Sequence, residues 1–513
     1  MGHGDVLFLG MPRRPGGRRS DWTDRVRTPV DVVKESAAAT IRMGWNARLT
    51  RMVRTIVLLL PRYANHRDPR ADALFLSLAA VVGLLGALGV QVFFNLIDLA
   101  NDFLVVRPMR LEFVSGRLLI VPVLTGGALA LAAWIMRRFG DGYDGLNVPD
   151  VSLAVERHQG RIPGRASLAK SVASAVTIGG GGSAGSEGPV AVLGAALASL
   201  FSRPLRLRAE RTRVLVGAGA AAGISATFGA PLAGAFFALE EILRSSSTTA
   251  FAPVVVSSVV AYASSLAFFG ASAPFAQPLT YGYHSWREVL LFFPLLGVVT
   301  GLLAGLFIWL EDRFAKARWR KRTPRRVLPW LGGFLAGLII VAGQGYITSR
   351  GHFSIDFEAL ARLSWTALGL LALGKIVATV ITLNVGGSGG VFAPSLVTGA
   401  LAGSALAILL TGVFPQLELT IGTYALAGMG SLVAASTGAP ITAILLVFEI
   451  TNDHAIILPL MLAVVFSVTV RRMITRETLY STWLVRTGRL PARGDEPTGE
   501  FFATPPRQSA VVD

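Results

Sequence analysis

Two stretches of the chain read alike: Gly181-Gly182-Ser183-Ala184-Gly185-Ser186-Glu187-Gly188-Pro189 and, 205 positions later, Gly386-Gly387-Ser388-Gly389-Gly390-Val391-Phe392-Ala393-Pro394. The echo continues through Gly194-Ala195 and Gly399-Ala400. A second echo follows at an offset of 209. Gly229-Ala230-Pro231 ends nine residues before Glu240, and Gly438-Ala439-Pro440 ends nine residues before Glu449. Two echoes in the same order at nearly equal offsets indicate a duplicated unit, spanning about 115–270 and 330–470. The pattern alone leaves open whether the copies run parallel or inverted. Inverted copies are common in transporters with broken helices, and the site then lies between the copies near the bilayer midplane. In this pairing Glu187 and Phe392 are equivalent and face the same central point.

The surroundings are those of a membrane protein. Of 513 residues, 52% are hydrophobic and 15% charged, and the mean hydropathy is +0.57. A soluble chain carries about 25% charged residues. Disorder is excluded by the same figures. The absence of cysteine excludes a disulfide scaffold, thiol catalysis and thiolate metal sites. Apolar runs at 74–99, 118–136, 249–269, 289–310, 328–346, 364–383, 396–413 and 455–470 are each long enough for about 30 Å of hydrocarbon. The regions 165–200, 214–240 and 385–450 are apolar but cut by Gly and Pro. Such broken helices are tolerated at membrane depth only where protein or a water-filled cavity covers them. The 56 glycines favour close helix approach.

The net charge of +17 is mostly arginine; the lysines are Lys34, Lys170, Lys316, Lys321 and Lys375. Basic residues cluster at 13–27, 42–54, 137–138, 203–213, 313–326 and 471–476, while 270–286, 350–360 and 414–421 are poorer in base. This positive-inside pattern puts both termini in the cytoplasm, against Arg107, Arg110 and Arg117 on the outer side. It also argues against nucleic-acid binding. The chain divides into a basic cytoplasmic segment 1–70 with a candidate amphipathic helix, a transmembrane domain 71–485, and a short tail 486–513. The first 35 residues lack the apolar core of a signal peptide. Arginine-rich, lysine-poor usage points to a prokaryotic inner membrane.

The breaks carry the chemistry. A glycine-flanked helix start offers free N–H groups and a positive dipole end, an anion site without formal charge. A transported anion must be held firmly enough to lose water and weakly enough to leave. No Lys or Arg occurs from Ser171 to Ser202, so the anion is expected to be held mainly by dipoles and amides. Glu187 sits in that nest and would compete with the anion until protonated, making it a gate and a proton carrier. Glu240 and Glu241 end an apolar helix on the basic side. Either could pass protons, and both could equally be solvated end residues near Arg244. Glu449 reads as a capping or packing residue. Tyr480 reads as an interfacial aromatic; Phe392 reads as packing, with a pore role suggested by its pairing with Glu187.

Other motifs fail. The glycine run lacks a GK[ST] ending and a βαβ context, so no nucleotide site is expected. The six histidines have no metal-ligand spacing. Ser167-Leu168-Ala169-Lys170 fits S-x-x-K without its companion motifs. No cofactor, no metal and no enzymatic activity are expected.

Taken together, these segments resemble the family of CLC chloride channels and chloride/proton antiporters, known as the voltage-gated chloride channels. Gly185-Ser186-Glu187-Gly188-Pro189 is similar to the family's G-x-E-G-P, and Gly390-Val391-Phe392-Ala393-Pro394 to its G-x-F-x-P. Gly229 to Glu241, Gly428-Met429-Gly430 and Phe448-Glu449-Ile450-Thr451 also match, as does Tyr480-Ser481 near the end of the last membrane helix. The likeness runs from about 75 to 485. It implies an all-α, multi-pass fold of two inverted repeats with broken, tilted helices, and a homodimer with one anion path per subunit. It is of the bacterial type, without C-terminal CBS domains. It assigns Glu187 as external gate and Glu241 as internal proton-transfer residue, a position that family channels fill with an uncharged residue. Phe392 (through its amide), Val391 and Tyr480 would line the path, with Gly185, Gly188, Pro189, Gly390 and Pro394 shaping the helix starts. The family's G-S-G-I-P is matched by Gly145-Leu146-Asn147-Val148-Pro149, where Leu146 removes a hydroxyl and Asn147 replaces glycine. That substitution costs on the order of 1 kcal/mol in hydrogen bonding and bears on anion preference.

The expected function is chloride transport coupled to protons, with chloride and protons as partners. The alternatives are a passive anion channel, which Leu146 and Asn147 favour, an exchanger of altered selectivity such as a fluoride exchanger, and a non-transporting membrane scaffold.

Overall fold

A computed structural model describes residues 69–107, 117–141, 146–244, 248–270, 286, 288–317, 323–343, 357–416 and 419–488. The basic segment up to 68, with its candidate amphipathic helix, Gly145 and the tail from 489 lie outside the described residues. All those described belong to one unit, Pro61–Asp513.

The described secondary structure is helical apart from a single bridge. In chain order the helices before residue 270 are α1 (Pro69–Asn101), α2 (Arg117–Phe139), α3 (Val148–Arg157), α4 (Gly164–Gly179), α5 (Glu187–Ser202), α6 (Ala209–Phe228), α7 (Pro231–Phe237) and α8 (Thr248–Phe269). After it come α9 (Phe293–Ala315), α10 (Leu328–Ala342), the short α11 (Phe357–Ala361), α12 (Trp365–Val385), α13 (Phe392–Val413), α14 (Ile421–Thr437), α15 (Pro440–Thr451) and α16 (Ile457–Ile474), and α17 (Leu479–Arg486) closes the series. Among the described residues, seven helical segments are long and apolar enough to cross a membrane. Their outward faces carry Leu88, Trp134, Phe268, Leu370 and Met473, side chains suited to lipid rather than water. The run 328–346 falls short of its expected span, because Gly343 caps α10 after 15 residues. Hydropathy does not register that helix end.

Helices α5, α10 and α15 are apolar but too short to span. The start of α5 meets the start of α13, and the contacts there are symmetric. Gly185 and Gly390 exchange backbone hydrogen bonds of 2.8 and 2.7 Å as an antiparallel bridge. Ser183 N donates to Thr382 Oγ1, and its counterpart Ser388 N donates to Thr177 Oγ1. The Ser183–Thr379 hydroxyl pair is repeated as Ser388–Ser174. Every partner in these pairs is 205 positions from its counterpart. Such reciprocity is the mark of a two-fold axis, on which i touches j and j touches i. Gly181 and Gly386 turn the chain into the two starts with φ of 89° and 121°, a region open to glycine and strained for side chains.

The same symmetry governs packing. Helix α5 packs on α6, and α13 on α14. At the first crossing a methyl group on Gly194 would strike the Gly219 carbonyl; at the second, one on Gly399 would strike the Gly428 carbonyl. Helix association in lipid depends on such close packing, since burial from water supplies no drive there. Gly399→Val is expected to destabilise the fold by about 3 kcal/mol, the upper range for overpacking. A thermal melt and size-exclusion profile in detergent check this.

Candidate functional site

The helices α5 and α13 both begin at the bridge, so two positive dipole ends meet in a buried place. Glu187, 2% exposed, is the first residue of α5. One carboxylate oxygen accepts the Ala393 N–H at 3.2 Å, and the other accepts the Ser186 hydroxyl at 3.3 Å. The gate candidate of one repeat thus occupies the helix start of the other. Its equivalent, Phe392, is also buried but apolar. The ring lies 5.9 Å from Phe228 and 6.4 Å from Phe237, centroid to centroid.

Glu240 and Glu241 lie on a π-helical turn, Ala238–Leu243, that extends α7; such turns are frequent at functional sites. Neither glutamate is a solvated end residue. Glu240 accepts the Ile441 and Thr442 N–H groups and the Thr442 hydroxyl, capping α15. Glu449 returns the favour, accepting the Leu232 and Ala233 N–H groups at 2.7 Å each at the start of α7. The capping role expected of Glu449 is therefore matched by a second cap from its counterpart. Adjacent residues on a helix point in different directions, so Glu241 is left out of this clasp. It is 7% exposed and has Arg244 as its opposing charge.

A cavity of about 80 Å³ lies against the bridge. It is lined by Gly188, Gly389, Gly390, Val391, Asn147, Lys170 and Tyr480 among others. Tyr480 lies within electrostatic reach of both Glu241 and Glu187. Residues 126–472 match the voltage gated chloride channel family. The chain belongs to this family. A putative chloride channel protein, ClcB-like, of Ralstonia nicotianae is 32% identical over 440 residues, covering 81% of this chain and 99% of that one. The H(+)/Cl(−) exchange transporter ClcA of Salmonella agona is 30% identical over 426 residues, covering 80% and 88%. Among solved structures, a slow cyanobacterial Cl−/H+ antiporter superposes with a TM-score of 0.71 at 28% identity, covering 82% of this chain and 99% of that one. This chloride-channel-family chain is a multi-pass membrane protein of two inverted repeats, and the passes and the two-fold contacts described above are its family fold.

Not every site residue named from the sequence reaches the cavity. Val391, Asn147, Tyr480, Gly188 and Gly390 line it; Leu146 does not. Leu146 is 3% exposed and packs in the main apolar core, where the side chain is drawn away from the cavity by burial. Asn147 is the N-cap residue of α3, and its N–H donates to Asp150 at 2.8 Å. Gly185 sits in the bridge, where a Cβ would collide with the Glu187 carboxylate. Pro189 and Pro394 fall in the first turns of α5 and α13, where a missing N–H costs nothing.

Two buried lysines stand near the helix starts besides the dipoles and amides expected there. Lys170 and Lys375, at 3% and 0% exposure, stand at equivalent positions of α4 and α12, 205 apart. Lys375 interacts electrostatically with Glu187, and Lys170 lines the cavity. Lys170 stands one residue before the cation-free stretch, and Lys375 comes from the other repeat. The repeat offset applied to the five lysines would have found the pair. The clasp yields a stability test. Glu240→Ala leaves two N–H groups and a hydroxyl without an acceptor and is expected to cost about 2–3 kcal/mol. Glu241→Gln is expected to stay within about 0.5 kcal/mol, since it removes no cap; chemical or thermal unfolding in detergent compares them.

Proposed function

We propose that this protein exchanges chloride for protons across a prokaryotic inner membrane, with Glu187 as gate and Glu241 as inner proton-transfer residue. The observation that carries the reading is the Glu187 carboxylate seated on the Ala393 N–H at the start of α13. An anion and an ionised Glu187 need the same positive helix end, so they compete for it. A proton on Glu187 cancels its charge, weakens its hold on that N–H, and leaves the helix end to chloride. Anion occupancy and protonation of Glu187 are then linked, which is the minimum requirement for exchange. Glu241, buried within electrostatic reach of Tyr480 and with no cap to maintain, is suited to pass protons to and from the inner side. No covalent chemistry is called for.

The family resemblance supports a homodimer with one anion path per subunit, and the basic clusters support cytoplasmic termini. The division at 70 and 486 belongs to the same proposal. Helix α17 ends at Arg486, which supports the later boundary.

The test is proton movement in liposomes under an imposed chloride gradient, with Glu187→Gln and Glu241→Gln alongside. Uphill proton flux is expected from the unaltered protein. Glu187→Gln is expected to abolish it, and Glu241→Gln to lower it by about tenfold or more while chloride still moves, a tenfold loss being typical of a removed proton-transfer group. Chloride flux with no coupled protons in the unaltered protein would favour the passive channel, a reading to which the buried Leu146 lends support because no hydroxyl reaches the cavity from that position.

A further inference from the structure

Helix α17 brings Tyr480 to the cavity but is only 8 residues long. A helix that short has little order of its own, so its neighbours have to fix where it points. Its start is capped from within: the Ser481 N–H donates to the Thr478 hydroxyl oxygen, and the Thr478 N–H to the Ser481 hydroxyl oxygen. The Thr482 hydroxyl and the Trp483 indole nitrogen are buried without a hydrogen-bond partner among the described residues. The far end is tied to other helices. Arg486 Nη1 lies 3.4 Å from Glu311 Oε1 of α9, and its guanidinium lies 4.7 Å over the Trp483 ring. Asn384 of α12 donates to the second Glu311 oxygen at 2.6 Å.

The spacing of residues shows how the tie is built. Leu479 and Arg486 are seven positions apart, two turns, and share a face of α17. Leu479 packs with Phe307 and Ile308 of α9 and with Ile376 and Val380 of α12. Glu311 stands one turn beyond Phe307, and Asn384 one turn beyond Val380. Both helices therefore present an apolar turn and then a polar one, and α17 meets them in that order with Leu479 and then Arg486.

Neither stability nor anion traffic accounts for an acid at this place. Glu311 is 9% exposed and lines the cavity, where a carboxylate without Arg486 beside it would repel an anion. A buried ion pair is often no more stabilising than apolar residues of the same volume. The tie also stands outside the two-fold frame. The position 205 before Asn384 is Gly179, and Glu311 and Arg486 lie beyond the repeated spans. What the pair adds over an apolar contact is direction, since two charged groups bond in one arrangement where apolar surfaces slide. We propose that Glu311 is a positioning residue for the exchange: through Arg486 it fixes α17, holds Tyr480 in the cavity wall, and keeps that wall closed to anions that would pass without a proton. The proposal rests on the exchange reading above and adds the residue that keeps the exchange tight.

The chain has no cysteine, so Thr482→Cys supplies a single thiol in the cavity wall, at a position 7% exposed. Its rate of reaction with a negatively charged methanethiosulfonate reports how firmly α17 is seated. Adding Glu311→Gln or Arg486→Gln is expected to speed labelling by about fivefold, the upper worth of a partly exposed pair. In liposomes the same two substitutions, with Thr482 intact, are expected to keep chloride moving while protons carried per chloride fall by about twofold or more. The two together are expected to do no more than either alone, because each breaks the same contact. Exchanging the charges, Glu311→Arg with Arg486→Glu, is expected to restore the ratio, since the Asn384 amide can accept as well as donate. An unchanged labelling rate or an unchanged ratio in a folded neutral variant overturns the assignment, and so do additive effects of the two. Neutral variants that give no folded protein mark a merely structural pair and overturn it too. An unaltered protein that moves chloride without protons defeats the exchange reading, and the labelling rates then still judge the hold of Glu311 on α17. An unaltered protein that exchanges, with neutral variants that label and couple as it does, defeats only Glu311.

Discussion

Two backbone hydrogen bonds between Gly185 and Gly390 bring the starts of α5 and α13 to one point inside the protein. Both ends of that bridge have to be glycine. A Cβ on Gly185 would collide with the Glu187 carboxylate, and one on Gly390 would lie 2.9 Å from the Gly188 nitrogen. Once the bridge forms, two positive helix ends share a buried volume and repel each other. Something negative has to relieve them. The Glu187 carboxylate does so in this structure, and an anion can do so in its place. The anion site proposed here is therefore a consequence of the topology rather than an addition to it.

Symmetry builds the frame, and departures from symmetry build the function. The bridge, the hydroxyl pairs, the glycine crossings and the Glu240 and Glu449 caps occur twice. The proposed gate occurs once, because Phe392 fills the counterpart of Glu187 with a ring that packs on Phe228 and Phe237. The buried lysines occur twice but face different things. Within the clasp, Glu240 is consumed by α15 while its neighbour Glu241 stays uncommitted. A single residue step along one π turn separates a capping carboxylate from the one proposed to carry protons.

Much of this was legible beforehand. The Gly-x-Glu-Gly-Pro and Gly-x-Phe-x-Pro echoes located both helix starts, and the offsets of 205 and 209 located the two-fold pairing. What could not be read was direction. Sequence showed Glu240 and Glu241 as neighbours but not which one meets the N–H groups of Ile441 and Thr442. It aligned Leu146 with a family anion-contacting position but could not show that an apolar side chain would retreat into the core. It also judged charge by the local stretch Ser171–Ser202, whereas the cavity gathers residues from α4, α12, α17 and the loop before α13. Long-range convergence of this kind leaves no trace in a window of neighbouring residues.

The reciprocal contacts carry a statement about ancestry. A hydrogen bond made twice within one chain, between halves 205 residues apart, is what a pair of identical shorter chains would make across a shared axis before being joined end to end. In such a precursor every group at the axis comes in duplicate. It has two carboxylates facing two helix ends, or two phenyl rings, and never one of each. Joining the halves released each copy from the other's constraint. The Glu187 and Phe392 pair is the place where that freedom was used, and it gave a symmetric assembly a front and a back.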